Sequence, residues 1–252
     1  MTFNAPKTIA ACVLLLSAAS TFGMQSQCTA SSGPLITPVL ELYTSEGCSS
    51  CPPADKWASG FKGKDMVVQA FHVGYWDQIG WVDRFAAPAH TQRQRETAAR
   101  NQLRNIYTPQ FVLDGRDWPK WSGASTRLAA TRPAARLQIS LKRLAEDQFE
   151  ASVTPTTAVD GATSWSAYWS VTEHGHNSKV NAGENAGEFL KHDFVVRQYT
   201  PVGAYQTRDA TPVKLGFRCL AATPGHERQI NLVLFEPQSG KTLQALSLHC
   251  QG

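Results

Sequence analysis

The sequence has 252 residues, 24 Lys and Arg against 20 Asp and Glu, a formal net charge of +4, and 42% hydrophobic residues. That is apolar enough for ordinary cores, while the mild basic excess lacks the clustered Lys and Arg of a nucleic-acid footprint, so no nucleic-acid role is expected. The length exceeds the usual single-domain size and makes two domains the working expectation.

Lys7, the apolar run from Ile9 to Ala19, and the small and polar residues after it follow the order of a secretory signal peptide. The run is too short to cross a bilayer as a helix. The stretch ending at Cys12 resembles a lipid-attachment box but lacks the preceding apolar region, so lipidation there is not expected. A leader over residues 1–30, cleaved between 20 and 30, predicts a periplasmic or secreted protein with no later membrane span. Cys12 would leave with it, and Cys28 lies between possible cleavage points after Gly23 and Ala30. Cys48, Cys51, Cys219 and Cys250 then remain, an even number in an oxidising compartment, which favours pairing.

The run Val39 to Thr44 reads as a strand, "PPADKWASGFKG" as a helix, and Met66 to Val73 as a near-continuous apolar strand of the kind buried on both faces. An aromatic loop follows, then a helix from Pro88 to Arg104 whose Arg93, Arg95, Arg100 and Arg104 read as a solvated basic face. "IYTPQFVLDGRDW" enters a strand through Thr108 and Pro109 and turns at Asp114-Gly115 into a hairpin. A further helix is expected from Gly123 toward Arg132, with Pro133 stopping it. Beyond Pro133 the texture becomes short strands of period two, as at Trp165, Ala167, Trp169 and Val171, the pattern of an antiparallel sandwich. The expected organisation is therefore an α/β domain over 35–132 and a β-sandwich-like domain over 135–252. Cys219 and Cys250 sit on apolar sides of their strands, and a structural disulfide between them is the economical expectation.

The stretch "TSEGCSSCPPAD" carries the chemistry. A CxxC between a strand and a helix sets the first sulfur against unsatisfied N–H groups at the helix start, which favours the thiolate. Cys48 is then the attacking nucleophile and Cys51 the resolving thiol. Pro52 and Pro53 are tolerated because first-turn N–H groups lack intrahelical partners anyway. A zinc site would need a second ligand pair, which the sequence does not offer, and a ring closed over two serines adds little as a staple. The reading calls for no metal and no cofactor.

Thr108-Pro109 falls where a cis proline beside the CxxC would receive substrate backbone, and Tyr75, Trp76 and Trp81 are candidates for an apolar lip. Glu41 is a candidate proton acceptor for Cys51 and Asp77 a second candidate for proton transfer, with Asp83 unassigned. His72 with the two cysteines would make a thiolate and imidazole set suited to copper(I), the basis of an alternative copper-binding or delivery role. Glu184, Asn185, His192 and Asp193 lie in a turn-rich stretch that either contacts the first domain or is solvated.

Four ordered motifs, "LELYTSEGCSSCPPAD", "AFHVGYWDQIGWVDRFAAPAHTQRQR", "IYTPQFVLDG" and "VNAGENAGEFLKHDFVVR", resemble the secreted bacterial thioredoxin-like family known as domain of unknown function 1223. The resemblance spans Leu40 to Arg197 and implies a thioredoxin-like domain followed by a β-rich region. One departure is Gly74, where the family pattern more often has Asp. The sequence therefore predicts an exported thiol-disulfide oxidoreductase-like protein acting on a thiol or disulfide-containing protein or a small thiol, with copper delivery and a non-catalytic binding module as alternatives. Ser49 and Ser50 supply no cation, which places the expected potential nearer about −270 mV than about −120 mV.

Overall fold

A computed structural model of the chain describes residues 1–2, 28–123, 131–156, 163–207 and 211–250. The body of the leader, Cys12 and most of the helix expected after Gly123 lie outside the described residues.

The chain is dominated by strands. After β1 (Thr29–Ser31) come β2 (Val39–Thr44), helix α1 (Pro52–Ser59), β3 (Val67–His72), a 3-10 turn (Gly74–Ile79), helix α2 (Pro88–Arg100), β4 (Gln110–Leu113) and β5 (Arg116–Asp117). The second half contributes β6 (Leu137–Ala145), β7 (Gln148–Pro155), β8 (Thr163–Glu173), β9 (His176–Lys179), β10 (Phe189–His192), β11 (Val195–Thr207), β12 (Val213–Arg218), β13 (Arg228–Phe235) and β14 (Thr242–His249). Asp114 and Gly115 both have positive φ, 49° and 78°, the turn geometry that joins β4 to β5.

The expected thioredoxin-like α/β domain followed by a sandwich is not what forms. The fold is mostly β, and β2, β3, β4 and β5 do not close into a small α/β layer of their own. They form one half of an eight-stranded sheet of order β14-β13-β8-β11-β3-β2-β4-β5. The junction is a parallel pairing of β11 with β3, with Val195 opposite Ala70 and the Ala70 N–H donating to the Phe194 carbonyl at 2.8 Å. A strand-helix-strand pattern is the same whether its second strand ends a sheet or continues it, so local periodicity could not reveal this junction.

One face of the large sheet is covered in two parts. Leu40 and Leu42 pack on Ala54 and Ala58 of α1. Trp165, Trp169 and Leu232 meet Leu137, Ile139 and Leu141 of a second sheet, ordered β1-β6-β7-β12. Trp169 stacks on Phe217 across that core, centroids 4.9 Å apart. α2 lies on the other face, where Arg93, expected to be solvated, is buried against Glu41. Strands β9 and β10 pair only with each other, forming a hairpin.

The expected Cys219–Cys250 bond is also corrected. Cys250 is bonded to Cys28, and Cys219 is a free, buried thiol. Cys219 follows β12, the edge of the four-stranded sheet farthest from β1, whereas Cys250 follows β14, which packs beside β1 and β6. Its thiol instead meets Arg228 Nη1 at 3.3 Å and Asp147 Oδ1 at 3.6 Å, and burial raises its pKa to about 11.

Candidate redox site

The strand β2 ends at Thr44, and the loop after it turns tightly: the Cys48 N–H donates to the Ser45 carbonyl and the Cys51 N–H to the Cys48 carbonyl. Cys51 caps α1, its carbonyl accepting from Ala54 and Asp55 N–H at 2.9 and 3.1 Å, while Pro52 and Pro53 occupy the first turn without wasting donors. Cys48 and Cys51 form a disulfide. Both residues are fully buried, at 0% exposure.

The start of α1 and the loop before it carry members of a cluster of buried ionisable groups. Asp55 lies four residues after Cys51, on the same face of α1, and accepts from the Thr44 hydroxyl at 3.1 Å. Burial raises its pKa, opposed by His192 and His72. His192, from β10, holds Nδ1 3.9 Å from Asp55 Oδ2 and Nε2 3.3 Å from Glu46 Oε1. The His72 and His192 rings meet edge to face, centroids 4.9 Å apart. His72 Nδ1 is 2.7 Å from Asp83 Oδ2, which also accepts from the Glu46 N–H. Burial alone would raise the Asp83 carboxyl, but His72 and two backbone donors outweigh it and hold it at about 2. Burial alone would lower His72, yet Asp83 raises it overall.

The remaining sequence candidates are distributed unevenly around this centre. Thr108-Pro109 is a cis peptide directly before β4. Trp76 Nε1 donates to the Thr108 hydroxyl at 2.8 Å, and the Trp76 Cβ lies 3.0 Å from where a side chain on Gly47 would begin. Trp76 thus bridges the cysteine loop and the proline loop, with Tyr75 tilted beside it. Trp81 Nε1 donates to Glu46 Oε2 at 2.7 Å. Asp77 accepts from the Asp83 N–H at 3.1 Å and shapes the loop, and a Cβ at Gly74 would sit 3.3 Å from its Oδ2.

Glu41 is the candidate the structure removes. Alternation along β2 puts Leu40 and Leu42 toward α1 and Glu41 on the opposite face, where it is bonded to Arg93, Tyr43 and Tyr168. It does not share the side of the sheet that carries Cys51. His72 belongs to this buried cluster, but its Nδ1 is committed to Asp83, and among the described residues no group of three or more His, Cys, Asp or Glu side chains is arranged to hold a metal ion. Asp55, Glu46 and His192 were not singled out for this role. Asp55 reads locally as a helix-start acid, and only its placement on the Cys51 face hints at more.

Residues of the second half bond to the backbone of the cysteine loop. Asn185 Nδ2 donates to the Glu46 and Cys48 carbonyls at 2.8 and 3.0 Å, and the Ser49 N–H donates to Glu184 Oε2 at 3.0 Å. Asp193 lies farther out, paired with Lys62 at 2.9 Å.

The cluster's support has a measurable pH signature. His90 on α2 bonds the His72 carbonyl through Nδ1 at 2.9 Å, and burial lowers its pKa to about 4. A histidine depressed from about 6.5 in the unfolded chain makes the unfolded state the better proton binder as pH falls. The His90 contribution to stability is then full above pH 6.5 and declines toward pH 4, by about 3 kcal/mol at 1.36 kcal/mol per pKa unit. Urea unfolding at stepped pH should show that decline, and His90→Gln should flatten it; an unchanged slope in the variant would refute the assignment.

Among curated proteins no relative matches. Of solved structures, protein AGR_C_4864 from Agrobacterium tumefaciens is similar with a TM-score of 0.62 at 23% identity, over 86% of this chain and 96% of that one. HBP35 of Porphyromonas gingivalis is similar with a TM-score of 0.54 at 14% identity, over 86% of this chain and 76% of that one. At such identities the likeness is one of fold alone. A family model matches residues 39–234, spanning the cysteine loop, the proline loop and the Glu184–Asn185 hairpin, so the chain belongs to the family described as Protein of unknown function (DUF1223).

Proposed function

We propose that the Cys48–Cys51 pair exchanges disulfides with a thiol or disulfide-containing partner in an oxidising compartment outside the cytoplasm. The observation that carries this reading is a two-residue-spaced disulfide at the start of α1, the helix whose first turn carries buried Asp55, with His192 placed between Asp55 and Glu46. A staple between residues so close in sequence contributes little stability, so the chemistry of the bond is the better reason for it. The Cys28–Cys250 disulfide and the leader pattern support export. No helix among the described residues is long and apolar enough to cross a membrane.

In the reducing direction the Cys48 thiolate attacks one sulfur of a partner disulfide, forming a mixed disulfide and releasing the other partner sulfur as a thiolate that takes up a proton. Cys51 then loses its proton and attacks Cys48 Sγ, restoring the Cys48–Cys51 bond and releasing the second partner thiol. The reverse sequence oxidises a dithiol. Cys51→Ser cannot complete the second step; offered the disulfide of a cysteine peptide, it is expected to keep one half as a mixed disulfide and release the other half as its thiol, read as a mass increase that dithiothreitol reverses. Cys48→Ser should hold none. Equal labelling of both variants, or of neither, would defeat the proposal.

A further inference from the structure

The backbone of the cysteine loop is held by side chains from the second half of the chain. Glu184 and Asn185, consecutive residues at the tip of the β9–β10 hairpin, satisfy three backbone groups of the cysteine loop: the Ser49 N–H and the Glu46 and Cys48 carbonyls. Both cysteines are at 0% exposure in this arrangement, so a partner sulfur cannot reach Cys48 without a local opening. The tip is built to be separable. Its base is closed by the Val180 N–H to the Glu188 carbonyl and the Gly187 N–H to the Val180 carbonyl. Gly183 and Gly187 flank the two contacting residues, with φ of +74° and +92°. β9 and β10 belong to neither large sheet, so lifting the tip breaks no ladder of either.

We propose that Val180–Gly187 is a latch over the Cys48–Cys51 disulfide, and that the segment replacing it is an extended polypeptide around a partner cysteine. This rests on the exchange reading above. Lifting the latch leaves the Ser49 N–H and the Glu46 carbonyl of the cysteine loop unpaired, and frees one acceptor position on the Cys48 carbonyl, which keeps its bond from the Cys51 N–H. Unpaired backbone groups of both kinds are what an extended chain satisfies when it adds to a protein surface through its own main chain. Glu184 and Asn185 hold those positions in the closed state, and opening of such a cover is a common control of access to a reacting centre.

The first test reads access alone. Dithiothreitol reduces the pair, which takes up two electrons and two protons as the reagent closes to its cyclic disulfide. Asn185→Ala removes two latch bonds and should speed that reduction about tenfold, the factor equivalent to about 1.4 kcal/mol. Glu184→Gln, an exposed and structurally mild change, should speed it by a smaller factor. Unchanged rates in both variants overturn the latch.

The second test reads the partner, using Cys51→Ser and the disulfide of a cysteine peptide against the disulfide of the same peptide N-methylated at the amides flanking its cysteine; Cys48 attacks one peptide sulfur and the other half leaves as its thiol. The unmethylated peptide should form the mixed disulfide about tenfold faster; equal rates overturn the polypeptide partner and favour a small thiol. The two ideas fail separately. A faster Asn185→Ala reduction with no peptide trapping by any form removes the exchange function and leaves the latch. Trapping with unaltered reduction rates does the reverse.

Discussion

Replacing Cys28 with Ser is expected to lower stability by about 5 kcal/mol in the loop-closure model, since the bond to Cys250 spans 222 residues of sequence. The location argues for a large share of that figure being realised. Cys28 directly precedes β1, whose three residues pair only with β6, and Cys250 directly follows β14, the edge of the large sheet. Both cysteines pack against the core between the eight-stranded and four-stranded sheets, so the bond fastens the two sheets together along one side. Urea unfolding of the oxidised wild type, Cys28→Ser and the Cys28→Ser/Cys250→Ser pair should give equal and large losses in both variants. A loss below about 1 kcal/mol would show that the sheets hold without it. The same bond bears on any leader removal: cleavage after Ala30 would discard Cys28 and two of the three β1 residues, so a processed chain that keeps the bond begins at or before Cys28, as intact mass would show. Cys219, buried, should resist alkylation until the protein unfolds.

What was legible in the sequence was whatever a strand or helix shows along its own length. Val39 to Thr44 is buried at every position, as its apolar run implies, and Trp165, Ala167, Trp169 and Val171 do share one core-facing side. The CxxC and the proline loop were visible as motifs. What was hidden depends on pairings between distant segments. Nothing local to "VVQAFH" says that β11 will lie beside it. Nothing in "FLKH" says that His192 will stand between Asp55 and Glu46. The Cys219–Cys250 expectation failed for the same reason: facing a common core does not place two thiols at the same corner of it. Glu41 shows the cost of register. Alternation gave it a definite side of β2, but only the position of α1 decides that this is the side away from Cys51.

The eight-stranded sheet makes the candidate site a joint product of both halves of the chain. Cys48, Cys51, Asp55, His72 and Asp83 come from the first, while Asn185, Glu184 and His192 come from the hairpin that precedes β11. Because β11 is bonded to β3, the hairpin is delivered next to the cysteine loop by the same junction that merges the sheets. The fold and the site are therefore coupled through one pairing. Disturbing the packing across that pairing should be felt at the hairpin as well as in global stability.

Arg93 is the residue on which that coupling can be tested most sharply. Its guanidinium donates to both carboxylate oxygens of Glu41 on β2 and to the Tyr199 hydroxyl on β11 at 3.1 Å, and it lies 4.0 Å from the ring centroid of Tyr168 on β8. Glu41 also accepts from the Tyr43 and Tyr168 hydroxyls at 2.8 and 3.0 Å. One buried side chain therefore ties α2 to strands from both halves. Arg93→Ala strands the Glu41 carboxylate in the interior and is expected to cost about 3–5 kcal/mol, the range for breaking a buried pair from one side. Glu41→Leu combined with Arg93→Met removes both charges and should recover much of that loss, because the pair's desolvation offsets its attraction; the two tyrosine hydroxyls left without their acceptor limit the recovery. Chemical unfolding of the single and double variants decides it. A double variant no more stable than Arg93→Ala would show that the tyrosine network, rather than the stranded charge, dominates. Glu41→Gln adds the functional arm: with Glu41 on the face away from Cys51, the pH profile of disulfide exchange should be unaltered, whereas Asp55→Asn, on the Cys51 face, should shift it.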